Sequence, residues 1–190
     1  KLSTQIISYL LLPLYTAKLT PSEYGEYDFV CTLSLFLCPI ITLLMEESMF
    51  RYLIDAESKS QRKKIISQTI IYTLGGTLLF TILSAFIMGI WTDYSAAYIT
   101  AIITFVISNI LIGLSNALAR GLGKIKLYSI SNFILGISTI ILNIVFILGI
   151  KAGVEGLIWA NTIANTFTAI VIFAILKLPA YFGKLDKTLM

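Results

Sequence analysis

The segment Ile66–Trp91, ISQTIIYTLGGTLLFTILSAFIMGIW, contains no charged residue. Wound as an α-helix it would extend about 39 Å at 1.5 Å per residue, more than the ~30 Å hydrocarbon core of a bilayer. A strand reading fails on length and pattern, because strands of membrane barrels run about 10 residues and alternate polar with apolar. An open sheet would also leave backbone N–H and C=O groups unpaired in lipid. The segment therefore predicts a transmembrane helix.

Working outward, five similar runs appear: about Leu2–Leu19, Tyr27–Phe50, Ala97–Leu118, Tyr128–Ile150 and Leu157–Leu176. The expected fold class is all-α, a polytopic membrane protein of about six transmembrane helices forming one bundle. Composition agrees. The chain of 190 residues is 57% apolar and 13% charged, with mean hydropathy +0.90. A soluble domain averages about 45–50% apolar and 25% charged, so a soluble core of this size could not hide the apolar surface. The chain begins with Lys1 and its first apolar run starts abruptly, without the pattern of a signal peptide. The expectation is a piece of a longer protein.

Charge sets the expected orientation. Twelve of the 14 basic residues fall at one end of the bundle: Lys1, Arg51, Lys59, Arg62, Lys63, Lys64, Arg120, Lys124, Lys126, Lys177, Lys184 and Lys187. Only Lys18 and Lys151 fall at the other, which carries Glu23, Glu26, Asp28, Asp93 and Glu155. Lys and Arg are retained on the cytoplasmic side, so both ends are expected in the cytoplasm of a cell-membrane protein. The basic balance is then explained by topology and anionic membrane lipid, and no nucleic-acid partner is implied. Trp91, Trp159, Tyr24, Tyr94 and Tyr98 toward one surface, and Tyr52, Tyr72, Tyr128 and Tyr181 toward the other, match the aromatic belts of headgroup regions. The loops Thr20–Gly25, Thr92–Ser95 and Lys151–Gly156 are short, so consecutive helices are expected to pack antiparallel.

Catalytic chemistry finds no foothold. There is no His, no nucleophile–base pair, no paired catalytic carboxylates and no phosphate-cradling glycine loop. Cys31 and Cys38 sit seven residues apart, about 10 Å along a helix, too far for a disulfide. They read as small hydrophobes, and no metal or cofactor is expected.

Polar residues inside a span usually face the bundle or a wet cavity. Asn109 and Asn116, Asn161 and Asn165, and Asn143 are such residues. Two readings of them stand together: hydrogen-bonded glue between helices, worth about 0.6 kcal/mol per bond, or the lining of a central cavity. Glu46, Glu47 and Arg51 cluster where the second run ends. Glu47 and Arg51 are four apart and can pair on one face. The cluster reads either as a charged gate at a cavity mouth or as a solvated helix end whose side chains snorkel to the interface. Arg120 and Lys124 border the same surface, and arginine suits bidentate contact with phosphate. Pro13 should bend the first helix, and Gly75, Gly76, Gly113 and Gly136 should allow close helix approach.

Leu12-Pro-Leu-Tyr15, followed by Leu19-Thr-Pro-Ser-Glu-Tyr-Gly-Glu-Tyr27, resembles the first helix and first outer loop of polysaccharide flippases. These belong to the multidrug/oligosaccharidyl-lipid/polysaccharide transporter superfamily. Arg51-Tyr52, Arg120-Gly-Leu-Gly-Lys124 and Gly153-Val-Glu-Gly156 also match the family pattern, so the resemblance covers nearly the whole chain. It implies a two-lobed transporter of about 12 to 14 helices, of which this chain would be the N-terminal lobe, with the C-terminal lobe absent. It implies export of undecaprenyl-pyrophosphate-linked oligosaccharide for capsule, O-antigen or related polymer, with a polymerase and glycosyltransferases as partners. Under that resemblance Arg51, Arg120 and Lys124 would attract the substrate headgroup. Asn109, Asn116, Asn143, Asn161 and Asn165 would line the cavity, and Glu46 and Glu47 would form a gate. No basic residue lies at mid-membrane depth, so a cationic central cavity would need charges from the other lobe. Two other functions compete: a cation-coupled multidrug or small-solute antiporter of the same superfamily, and a membrane scaffold with no transport role.

Overall fold

A computed structural model describes residues 11–13, 15–91, 95–150 and 152–178. The start of the first predicted span, Asp93, Tyr94, Lys151 and the C-terminal Tyr181, Lys184 and Lys187 lie outside the described residues, as does Lys1. Among the described residues the secondary structure is helical, with no strand. Residues 11–13 and 15–18 are helical. They are followed by α1 (Pro21–Thr42), α2 (Met45–Asp55), α3 (Lys59–Trp91), α4 (Ala96–Gly121), α5 (Ile125–Ile144) and α6 (Gly153–Ile175). Helix α5 continues as a π-helix over Val145–Ile150. Five helical stretches, 21–42, 59–87, 96–121, 125–150 and 153–175, are long and apolar enough to cross a membrane.

Helix starts follow local chemistry. Thr20 caps α1 by accepting from the Glu23 amide, and the Glu23 carboxylate accepts in return from the Thr20 amide at 2.8 Å. With Pro21 in the first turn, this is a complete capping box. Ser58 and Gln61 repeat the reciprocal arrangement ahead of α3, and Ser95 accepts from the Tyr98 amide at the start of α4. At the far end of α4 the chain turns at Gly123, whose φ of +71° is one that side chains other than glycine rarely adopt.

The predicted single span Tyr27–Phe50 is broken. Helix α1 stops at Thr42, Leu43 and Leu44 both take left-handed backbone angles (φ 50° and 55°), and α2 restarts at Met45. Pro39 lies inside α1 and has no amide to donate. Its carbonyl instead accepts from the amides of both Leu43 and Leu44. The apolar run hid this break because leucines give no warning of positive φ.

Helix α4 is the hub, packed against α6, α2, α1, α3 and α5. Its Ala101, Ser115, Ala117 and Ala119 are fully buried, and such small residues let neighbouring helices approach closely. Opposite it, α3 leaves Leu74, Leu78, Leu79, Ile82, Leu83 and Phe86 exposed, and α1 leaves Phe29, Leu35, Phe36 and Ile40 exposed. A bilayer solvates this apolar surface, which water would not. Of the glycines expected at close crossings, Gly76 meets the Ile41 backbone of α1, whereas a side chain at Gly75 or Gly113 would meet open space.

Candidate functional site: a polar seam and a charged helix end

Helix α1 carries Tyr27, Ser34 and Cys38 toward its neighbours, and the asparagines of α4 and α6 meet them. Asn109 donates to Ser34 Oγ at 3.2 Å. Asn165 donates to Asn109 Oδ1 at 3.3 Å and lies 3.4 Å from Ser108 Oγ. One turn away on α6, Asn161 donates to the Tyr27 hydroxyl at 2.9 Å. Cys38 continues the line, in contact with Ser34 Oγ at 3.7 Å and with the Val106 carbonyl. A polar seam therefore joins α1, α4 and α6 through otherwise apolar packing. Cys31 and Cys38 are both free thiols.

The remaining asparagines go elsewhere. Asn116 shares a helix face with Asn109, yet it pairs with Asn132 of α5. Asn132 donates to Asn116 Oδ1 at 3.0 Å, and Asn116 returns a bond at 3.4 Å. Asn132 was not singled out from sequence. It could have been, because the two asparagines lie eight residues on either side of Lys124, the middle of an antiparallel hairpin turn. Asn143 is fully buried and donates to the Thr139 carbonyl at 2.7 Å, leaving its Oδ1 without a partner. In these positions the asparagines bind one another and the backbone.

A polar network of this kind should contribute modestly and locally. Asn109→Leu removes a donor and an acceptor together, so its expected cost is about 1 kcal/mol, on the scale measured for bonds between membrane helices. Ser34→Ala alone removes the acceptor on α1 while the Asn109 amide keeps the Phe105 carbonyl at 3.0 Å, and should cost a similar amount or less. Unfolding in detergent of the two single variants and the double variant measures the coupling. Strict additivity would show that the seam is not one unit.

At the basic end, α2 lies on α4, with Met49 and Leu53 almost wholly buried. Gly121 makes this possible, since a side-chain carbon there would fall 2.9 Å from Leu53. The docking carries Glu47 to Arg120, where they form an ion pair at 3.4 Å. Sequence spacing pointed to Arg51 as the partner of Glu47. The structure gives Glu47 to Arg120 instead and leaves Arg51 exposed. The Arg120 guanidinium also lies over the Phe50 ring at 4.6 Å and near the Tyr128 ring at 5.7 Å, a cation–π setting. Its Nε is buried without a partner. Lys124 is exposed beside the turn. Glu46 is half-buried on α2, and its Oε2 is buried with no hydrogen-bond partner.

At the acidic end, the Tyr15 ring packs against Tyr24, tilted with centroids 6.0 Å apart, and edge-to-face against Tyr27 at 6.1 Å. An open recess of about 500 Å³ there is lined by Glu23, Glu26, Ser95, Tyr98, Glu155 and neighbouring backbone. Gly153, with φ +54°, sits where a side chain would touch the Glu23 carboxylate.

The model of a family described as polysaccharide biosynthesis protein matches residues 1–188. The chain belongs to the polysaccharide biosynthesis protein family. No match was found among curated proteins or among solved structures. Membership gives a structural meaning to the motifs that carried the resemblance. In this family member the Leu-Pro-Leu-Tyr block supplies Tyr15, and the Glu-Tyr-Gly-Glu-Tyr block supplies the capping Glu23 together with Tyr24 and Tyr27. The Gly-Val-Glu-Gly block supplies Gly153 against Glu23. Three separate stretches of sequence thus converge on one clasp at the acidic end.

Proposed function

We propose that this chain forms the N-terminal, six-helix lobe of a flippase that moves undecaprenyl-pyrophosphate-linked oligosaccharide across the cytoplasmic membrane. The polymer served would be capsule, O-antigen or a related surface polysaccharide. Both ends of the segment lie in the cytoplasm in this reading, since the basic residues collect at that end. Family membership supports the polysaccharide role. The observation that carries the rest is Arg120, an arginine at the membrane boundary whose cation is backed by two aromatic rings and only partly neutralised by Glu47.

The physical logic follows from what such a substrate requires. Its pyrophosphate and sugars are rejected by hydrocarbon, while its polyprenyl tail is accepted. A carrier shields the head and leaves the tail in lipid. The seam ties α1, α4 and α6 into one body, as alternating access by rocking of lobes demands. Because Asn109, Asn161 and Asn165 are tied into hydrogen bonds between helices, the head would pass along the face of this lobe, against the second lobe. Arg51, Arg120 and Lys124 draw the headgroup at the cytoplasmic mouth, and Glu47 is the carboxylate it displaces from Arg120. A polymerase and glycosyltransferases would act on either side of this step.

A second reading, a scaffold with no transport role, is favoured by that same pairing of the seam asparagines. Depletion of the full-length protein in its native cell separates the two. The flippase reading expects lipid-linked oligosaccharide to accumulate at the cytoplasmic leaflet while surface polymer falls. Unchanged amounts of both would overturn it, and retention of a drug or small solute instead would turn the assignment to an antiporter.

A further inference from the structure

Helices α1 and α3 meet closely where the Ile41 backbone faces Gly76, a contact with no room for a side chain. Between that crossing and the acidic end they leave a groove of about 190 Å³. Its walls are successive turns of the two helices: Leu37, Leu33 and Val30 on α1, Phe80 and Ser84 on α3. Tyr98, Ile102 and Ile103 of α4 complete the lining. Ser84 donates its proton to the Phe80 carbonyl of its own helix at 2.7 Å. The charged residue of the lining is Glu26, half-buried and three turns from Leu37. Phe29, which also lines the groove, is 64% exposed, so the groove is open to lipid on that side.

The groove has the length of one leaflet. Glu26 and Leu37 are 11 residues apart, about 16 Å of helix, and half of a ~30 Å hydrocarbon core is about 15 Å. A helix about 10 Å across does not fit such a volume, whereas a single hydrocarbon chain does. At its charged end the groove meets the open recess described above, because both are lined by Glu26 and Tyr98. Hydrocarbon therefore gives way directly to carboxylates. Glu23 is held by Thr20, but among the described residues neither Glu26 nor Glu155 forms an ion pair. Lys18, the described basic residue at this end, lines a different hollow beyond Glu23.

We propose that the groove holds one acyl chain of a phospholipid with an ammonium head, phosphatidylethanolamine, from the leaflet at the acidic end, with the ammonium at Glu26. Charge selects this occupant. Carboxylates at headgroup level attract a cation and repel an anionic head, which disfavours both phosphatidylglycerol and a polyprenyl pyrophosphate. The chain covers apolar surface that the bundle leaves open, and it fills the space between α1 and α3 on the outward side of the Gly76 crossing. The inference stands on the groove and its carboxylates and is independent of the flippase reading.

The test is lipid-specific fluorescence quenching in the full-length protein, with its native tryptophans replaced by Phe and a single reporter, Phe29→Trp, at the rim of the groove. The protein is reconstituted in vesicles that mix phosphatidylethanolamine with phosphatidylglycerol, one or the other carrying brominated acyl chains. Brominated phosphatidylethanolamine is expected to quench this reporter with about a fivefold preference over brominated phosphatidylglycerol, the upper range for one partly exposed ion pair. Adding Glu26→Gln, nearly the same in shape, should bring the two lipids close to parity. A Leu74→Trp reporter, on the exposed face of α3 at the other side of the Gly76 crossing, should show no preference for phosphatidylethanolamine. If Glu26→Gln elutes as misfolded protein, the difference between the two reporters decides. Equal quenching by both lipids at Phe29→Trp, a preference that survives Glu26→Gln, or a reporter that neither lipid reaches overturns the site. None of these results bears on whether the substrate is a lipid-linked sugar.

Discussion

Gly76→Val should lower the thermal midpoint of the detergent-solubilised protein by about 6–12 °C, whereas Gly75→Ala, one residue earlier, should leave it unchanged or slightly raised. The difference lies wholly in what each glycine faces. A Cβ at Gly76 would run into the Ile41 carbonyl, a backbone atom at the end of α1 that cannot swing aside. Overpacking costs typically 1–3 kcal/mol, and a collision with backbone belongs at the upper limit. For a chain of this size about 3 kcal/mol corresponds to the stated shift. At Gly75 a side-chain carbon meets nothing within 4 Å, and alanine spares a helix interior the roughly 0.5–1 kcal/mol that glycine costs it. Thermal unfolding followed with a thiol-reactive dye at Cys31 and Cys38 measures both. Equal effects at the two positions would show that α3 does not cross α1 at Gly76.

The same pair of glycines shows how far the sequence could be read. Gly75-Gly76 announced a close crossing, but only the three-dimensional arrangement says which one is against a neighbour. The five long apolar helices among the described residues were legible, because continuous runs of about 20 apolar residues have one stable form in lipid. The break at Leu43–Leu44 was not. Pro39 lies four residues upstream, and membrane helices often accommodate a proline, so nothing local demanded a stop. The π-helix at Val145–Ile150 was equally silent, since its residues are ordinary helix-compatible hydrophobes.

The site divides along similar lines. That the asparagines face the bundle followed from the cost of leaving an amide in lipid, and Asn109, Asn161 and Asn165 do meet across helices. Their partners on α1, Ser34 and Tyr27, were missed, because a single serine or tyrosine in a span reads as incidental until the opposing helix is placed. Spacing suggested Glu47 with Arg51, an interaction within one helix. Tertiary docking of α2 on α4, through Leu53 against Gly121, overrode it. Local periodicity fixes which residues share a face but not which neighbour that face meets.

Arg120 is where fold and proposed function can be separated most sharply. Arg120→Ala in the full-length protein should cut surface-polymer export by about tenfold or more while costing the fold about 2 kcal/mol or less, for the ion pair and the ring contacts together. The stability estimate follows from exposure. The side chains of Arg120 and Glu47 are 32% and 59% exposed, and pairs this open to solvent are worth about 0–1 kcal/mol. The functional estimate follows from charge. A hydrogen bond to a charged group is worth about 1.5–3 kcal/mol, or roughly 10–150-fold in binding. Arg120→Lys sharpens the test. Lysine keeps the charge but loses the planar fork and much of the stacking on Phe50 and Tyr128. If bidentate phosphate contact matters, lysine restores only part of export; if a point charge suffices, it restores nearly all. Glu47→Gln frees Arg120 without removing it, so its expected result is tighter headgroup capture with slower release. Export unchanged in Arg120→Ala and in Arg51→Ala would remove the headgroup role from this end of the bundle. The Glu47–Arg120 pair would then stand as a structural tie between α2 and α4, and any cation that meets the headgroup of the proposed substrate would have to come from elsewhere in the full-length protein.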